Sequence, residues 1–162
     1  MTENTPLIPA IFQGWQTYQE VVVEALRPLN EAQLSLRAAP RLRSVDQIAR
    51  HIIGARARWF YVLMGEGGQA FKLMGKWDRR GGRARNSEEL ILGLERTWQG
   101  MQAAISSWSP QDWQQTWPGE DQTEPEVITR GWVIWHLIEH DLHHGGEISL
   151  TLGVHGISAF KL

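Results

Sequence analysis

The 162-residue sequence contains no cysteine. This absence excludes disulfides, thiolate metal sites and a cysteine nucleophile, so any metal must be bound through nitrogen and oxygen atoms. The sequence also has no run of eighteen apolar residues, and no basic start followed by a long apolar segment. These two patterns are typical of membrane spans and secretory leaders. We therefore expect a cytoplasmic protein that does not bind membranes.

Neither sign of charge dominates the sequence. Sixteen Lys and Arg residues oppose eighteen Asp and Glu residues, for a formal net charge of -2, and this balance argues against a nucleic-acid partner. The glycine clusters lack the strand, lysine and helix of a phosphate-binding loop, and no strand-to-helix turn presents a nucleophile. The length, with 42% hydrophobic residues, predicts a single domain spanning residues 1–162.

Four segments repeat apolar residues at intervals of three and four, the period of an amphipathic helix. Their apolar faces cover residues 8–29, 45–63, 90–108 and a segment that starts between 124 and 129 and ends near 152, before Gly153. Ser44 and Gln47 have the spacing of a capping box at the start of the second helix, and Asn86 with Glu89 predicts the start of the third. A short helical turn is predicted near residues 110–113. No strand is predicted, and residues 66–85 are expected to form an irregular connection. The sequence therefore predicts an all-α fold, with a four-helix bundle as its simplest form.

Four of the six histidines lie within nine positions of the last helix, in the segment WHLIEHDLHHGGEI, residues 135–148. At about 100 degrees per residue, His136, His144 and Glu147 fall within roughly 40 degrees of His140, and His143 about 60 degrees away. We expect this stripe to face inward, because Val133 and Leu137 flank it. Glu139 and Asp141 are expected to lie toward the other side of the helix.

His140 and His144, four positions apart, are placed to bind one ion from the same helix. His51 lies at the edge of the apolar face of the second helix and is the predicted third ligand. His136 and His143 are alternative ligands or a catalytic base, and Glu147 is a candidate acceptor for the second nitrogen of a ligand ring. The catalytic candidates are thus His136, His143 and Glu147.

Two noncatalytic alternatives remain open on the residues alone. The bundle could bind a small ligand without catalysis, which a closed site with Glu147 as fourth ligand would favour. It could also respond to metal or pH through histidine protonation near neutral pH.

Two segments resemble the DinB/YfiT-like superfamily of four-helix metalloenzymes: RSVDQIARHIIGARARWF, and WHLIEHDLHHGGEISLTLG some ninety residues later. The resemblance implies an up-down-down-up bundle with a long crossing connection. It also implies a divalent ion, zinc or nickel, bound by His51, His140 and His144, and a homodimer. Some members of this superfamily resemble thiol-dependent S-transferases, which implies a low-molecular-weight thiol cosubstrate and a small electrophilic substrate. Transfer is favoured over the alternative, metal-dependent hydrolysis.

Two further groups of residues have predicted roles at such a site. Most of the nine tryptophans are expected in the core, but Trp77, Trp113 and Trp117 fall in the connections and are candidates for the wall of a substrate pocket. Four arginines between positions 79 and 85 form a basic loop, which is either solvated or binds carboxylate or phosphate groups. Arg56 or Arg58 is a candidate for reaching an open end of the site.

Overall fold

The computed structural model describes residues 7–119, 126–158 and 160, and most of them are helical. Four long helices form a bundle: α1 (Leu7–Leu26), α3 (Val45–Arg58), α5 (Ser87–Ser107) and α7 (Arg130–Val154). Three short helices, α2 (Glu31–Leu34), α4 (Gly68–Met74) and α6 (Pro110–Trp113), lie in the connections. A π-helical turn (Trp59–Leu63) extends α3, and β1 (Thr116–Pro118) pairs antiparallel with β2 (Val127–Thr129).

Hydrogen bonds between helix ends establish the directions of the four long helices. The first residue of α5, Ser87, donates from Oγ to the carbonyl of Leu26 at the end of α1. The start of α3 lies at this same end, because Asp46 accepts a hydrogen bond from the backbone amide of Arg85. The beginnings of α3 and α5 therefore lie side by side, and these two helices run parallel to each other and antiparallel to α1.

Contacts between α3 and α7 fix the direction of the last helix. Early in α3, His51 lies against His144, late in α7, whereas Trp59 at the end of α3 lies against Trp132 near the start of α7. The two helices are antiparallel, and the bundle has the expected up-down-down-up order. Because α3 and α5 are parallel, the chain between them must travel back along the bundle.

The predicted starts of α3 and α5 are confirmed. Ser44 and Gln47 form a capping box at the start of α3, and Asn86 and Glu89 form one at the start of α5. In each box a side chain accepts from a backbone amide that has no partner within the helix. The short helix at Pro110–Trp113 also lies where the sequence predicts it.

Three local predictions were wrong. The connection after the π-helical turn contains α4, which forms because Phe71 and Met74 are buried against the core. The prediction that the chain contains no strands was wrong. β1 and β2 pair over only three residues each, which is too short to display an alternating pattern in the sequence. The bounds of the last helix were also wrong: it begins at Arg130, after the predicted range 124–129, because residues 127–129 pair in β2, and it continues past Gly153 to Val154.

The core lies between the four long helices and contains most of the predicted apolar faces. Fully buried members include Leu26, Ile52, Leu94, Met101 and Leu137. The predicted face of α1 is wrong at its beginning, where Ile8 is 65% exposed because no other bundle helix covers this part of α1. None of the described helices is both long and apolar enough to cross a lipid bilayer.

Candidate metal centre

The antiparallel packing of α3 and α7 brings His51, His140 and His144 together. One ring nitrogen of each residue can be chosen so that all three lie within 4.8 Å of one another. Nε2 of His51 is 3.2 Å from Nε2 of His140, and the ring centroids of His51 and His144 are 4.7 Å apart. The two helices thus place three imidazoles from separate turns around one point, as the sequence predicts.

The donor set fits a divalent metal ion. Two nitrogens bound to one tetrahedral zinc ion at about 2.05 Å lie about 3.3 Å apart, and the two Nε2 atoms of His51 and His140 are separated by 3.2 Å. Two neutral nitrogens with facing lone pairs repel each other unless a proton or a cation lies between them. Imidazole nitrogen suits zinc, nickel, copper and iron alike, so the residues present fit a divalent ion without selecting one.

Asp78, in the connection between α4 and α5, fixes the orientation of His51. Its Oδ2 lies 2.7 Å from Nδ1 of His51. Because an ionised carboxylate can only accept, Nδ1 carries the hydrogen and Nε2 keeps its lone pair for the metal. Burial alone would raise the pKa of Asp78, but hydrogen bonds from His51 and Arg58 lower it below its usual value. Asp78 was not identified from the sequence, although it is the only acidic residue in the basic segment KWDRRGGRAR.

Either Arg56 or Arg58 was expected to reach an open end of the site, and Arg58 instead bonds to Asp78, the partner of His51. Its guanidinium donates to both carboxylate oxygens of Asp78 and to the carbonyl oxygen of Gly75, the latter at 2.9 Å. The carboxylate of Asp78 is thereby fixed between the guanidinium of Arg58 and the ring of His51.

Glu147 performs the same role for His144. Its Oε2 lies 2.6 Å from Nδ1 of His144, so that Nδ1 carries the hydrogen and Nε2 remains available. Burial is the main cause that lowers the pKa of His144, and burial also lowers the pKa of His140 to about 2. Both rings are therefore neutral at physiological pH, the form that can bind a metal ion. Nδ1 of His140 is buried without a partner among the described residues.

The remaining histidines of α7 lie at the edge of this site. His136 stacks on Trp132 with ring centroids 5.0 Å apart, and its ring lies 6.0 Å from that of His140. His143 points to the surface, with 68% of its side chain exposed. With His144 and Glu147 it forms a second group of potential ligands, but this group uses the Glu147 carboxylate already bonded to His144.

Different tryptophans from those predicted line the centre. Trp59 and Trp132 lie against each other and against His136. The three candidates from the connections have other contacts: Trp77 packs near Gly93 and under Arg85, Trp113 packs on Trp108, and Trp117 lies near Arg130. The prediction for these three was therefore wrong, since Trp77 packs against α5 and both Trp113 and Trp117 lie by the pair of Trp108 and Arg130.

Asp141 was also placed wrongly by the helical wheel. It lies inside the bundle, 1% exposed, and pairs with Arg56, which is equally buried. Trp15 donates from Nε1 to the same carboxylate at 2.7 Å. Arg56 is thus bound in a structural ion pair and does not reach an open end of the site. A charge on the apolar side of one helix was compensated by a partner 85 residues away, which a single-helix argument cannot detect.

A glycine in α3 makes room for the Asp78 carboxylate. A Cβ atom at Gly54 would lie 2.6 Å from Oδ1 of Asp78 and 2.8 Å from Nη1 of Arg58. Real Cβ contacts are longer, so any side chain at this position would push the carboxylate away from His51.

Substitution of Asp78 by asparagine is expected to weaken divalent-metal binding by about 10- to 100-fold, the usual effect of losing a partner of a metal-binding histidine. The amide can no longer act as a charged acceptor for His51. Competition with a chromophoric chelator measures the affinity. Glu95→Gln, on the exposed surface of α5, is the control and should bind metal like the wild type. Equal affinities in Asp78→Asn and the wild type would contradict this role.

The model of the DinB family matches residues 1–158 of the chain. No curated protein sequence matches this chain. Among solved structures, a DinB-like protein from Bacillus cereus is 18% identical, with a TM-score of 0.65 over 96% of this chain and 97% of its own.

Two further solved structures share the fold. YfiT from Bacillus subtilis, described as a probable metal-dependent hydrolase with an unusual four-helix bundle topology, is 14% identical; its TM-score is 0.72 over 98% of this chain and 94% of its own. A conserved protein from Enterococcus faecalis is 13% identical, with a TM-score of 0.66 over 92% and 99% of the two chains. At these low sequence identities, the similarity to the three structures shows a shared fold only.

Proposed function

Because the chain belongs to the DinB family, we propose that it is a metal-dependent enzyme whose divalent ion is bound by His51, His140 and His144. The observation that carries this proposal is the convergence of three ring nitrogens, two of whose rings are oriented by carboxylates. Three protein ligands on a tetrahedral ion leave one position for water or substrate, the arrangement of catalytic zinc sites. Glu147 supports an open site, because its carboxylate is hydrogen-bonded to Nδ1 of His144 and does not serve as a fourth metal ligand.

A zinc or nickel ion at this centre would supply Lewis acidity and lower the pKa of a bound water or thiol. His136 is the best placed base for the proton that such a nucleophile loses. Its Nδ1 lies 3.0 Å from Oε1 of Glu139, and Trp132 holds the ring from one face. Nε2 of His136 therefore remains available to accept a proton.

The reaction that we favour is transfer of a low-molecular-weight thiol to a small electrophile. A chain without cysteine has no thiol of its own, so in this reaction the nucleophile arrives with the cosubstrate. Hydrolysis is the second candidate, favoured by the description of YfiT as a probable metal-dependent hydrolase. Both reactions need the same centre and differ in whether sulfur or water is the nucleophile.

Metal content is the first test of this proposal. Untagged protein, loaded with zinc, nickel or manganese and then dialysed, should retain about one ion per chain, and a strong chelator should remove it. The bundle should stay folded without the ion, because its core is built from apolar residues of four helices. Retention of no ion after loading would overturn the proposal, and unfolding on chelation would indicate a structural metal instead.

Assays of the loaded protein then separate the two reactions. With 1-chloro-2,4-dinitrobenzene as electrophile and cysteine as thiol, S-transfer should depend on both the thiol and the bound ion. With p-nitrophenyl acetate and no thiol, metal-dependent release of nitrophenol would favour hydrolysis. His136→Gln should reduce the favoured activity by about 100-fold while the ion is retained, since general base catalysis contributes on this order.

A further inference from the structure

A basic cavity of about 450 Å³ adjoins the metal centre. Its walls come from the connection before α3, from α3 itself and from the segment that follows α4, and His51 lies in the wall that it shares with the centre. Five of its lining residues are arginines: Arg43, Arg50, Arg58, Arg79 and Arg80. One carboxylate, that of Asp78, lies among them.

Only part of this positive charge is neutralised within the chain. Arg50 pairs with the buried Asp46, and Arg58 pairs with Asp78. In the described part of the chain no ion pair involves the other three arginines of the wall, which are positions 43, 79 and 80. About three positive charges therefore face a single concave surface, where they attract anions more strongly than separate surface residues do.

The segment that carries Arg79 and Arg80 is held in place by the two residues that precede it. Arg50 donates from Nη1 to the carbonyl oxygen of Trp77 at 2.6 Å, and Asp78 is held by Arg58 and His51. A turn follows, in which the amide of Gly82 donates to the carbonyl oxygen of Arg79 at 2.8 Å. The two arginines thus extend from a fixed turn.

We propose that this cavity binds the carboxylate or phosphate group of a small-molecule substrate, whose remainder extends past His51 toward the metal centre. As a statement about a substrate, this inference rests on the proposed function. Guanidinium groups bind both kinds of anion through paired hydrogen bonds, and the volume lies in the range of small-molecule sites. A larger cavity of about 640 Å³ contains none of the three metal-binding histidines, and Asp46, Glu31 and Glu89 line it beside its arginines.

Anion titrations of metal-free and zinc-loaded protein test the cavity directly. Inorganic phosphate and succinate serve as probes, and backbone amide NMR signals of Gly81 and Gly82 report their binding. The Arg79→Gln/Arg80→Gln variant should bind the preferred probe at least tenfold more weakly than the wild type. The control Arg27→Gln/Arg96→Gln removes the same charge from exposed positions outside the cavity and should bind it within twofold of the wild type.

Tighter binding of phosphate would assign a phosphate ester, and tighter binding of succinate a carboxylate substrate. The inference is overturned if the cavity variant binds both probes like the wild type, or if the control loses as much affinity as the cavity variant. Zinc content, measured on the same samples, should be equal in all variants. If the protein retains zinc but shows no saturable anion binding, only the anion-site inference is refuted. If it binds the anion but retains no zinc, only the metal proposal is refuted.

Discussion

Replacement of Asp141 by alanine is expected to lower the free energy of unfolding by about 3–5 kcal/mol. The carboxylate accepts hydrogen bonds from Nε and Nη2 of Arg56 and from Nε1 of Trp15, and both charged side chains are only 2% exposed. Its removal leaves a guanidinium in the bundle interior whose one remaining hydrogen bond to the described residues is a long one, to the carbonyl oxygen of Leu94 at 3.4 Å. An unpaired buried charge of this kind is among the largest single destabilising changes in a protein.

Urea denaturation of metal-free protein measures this loss. Glu139→Ala, on the exposed side of the same helix, should change the free energy of unfolding by less than about 0.5 kcal/mol. The double variant Arg56→Met/Asp141→Leu removes both charges and should recover most of the loss, because paired buried charges can be replaced by apolar groups at little cost. A small effect of Asp141→Ala, equal to that of Glu139→Ala, would mean that water reaches Arg56.

Replacement of His140 by alanine is expected to reduce zinc affinity by about 100- to 1000-fold. A four-ligand zinc site contributes about 10–16 kcal/mol of binding free energy, so one ligand accounts for roughly 3–4 kcal/mol. His140 belongs to a compact group, because its ring lies 4.9 Å from that of His51 and 4.3 Å from that of His144. This effect should exceed that of Asp78→Asn, which removes only a partner of a ligand.

His143→Ala is the matched control for this measurement, since it removes an exposed imidazole three positions along α7. Isothermal titration of zinc into chelator-treated proteins should give wild-type affinity for His143→Ala. The reverse result, loss of affinity in His143→Ala and none in His140→Ala, would assign the metal to the surface group of His143, His144 and Glu147. Thermal unfolding of the metal-free variants shows whether the change at His140 is confined to binding.

Periodicity predicted the bundle because each long helix has an apolar face that must be covered. The capping boxes at Ser44 and Asn86 marked two helix starts, since their hydrogen bonds join residues only three positions apart. The proximity of His140 and His144 follows from helix geometry in the same way. These features depend on residues that are close together along the chain, so a single sequence is enough to predict them.

The partners of the site could not be predicted, because they come from distant parts of the chain. Asp78 meets His51 across 27 positions, and Asp141 meets Arg56 across 85. Nothing in the period of one helix specifies which charge on another helix will neutralise it. Asp141 shows the consequence, since the helical wheel placed it away from the inward stripe and its ion pair places it in the core.

The lack of a side chain at Gly54, where the Asp78 carboxylate fills the space, implies a trade-off between stability and function. Glycine within a helix lowers its stability by about 1 kcal/mol relative to alanine. In α3 the glycine lies where the carboxylate of Asp78 approaches the helix backbone. A protein engineer guided by helix propensity would choose alanine here and would move the carboxylate away from His51. Helix stability and metal retention thus select different residues at this position, and thermostability alone is a poor guide for improving this protein.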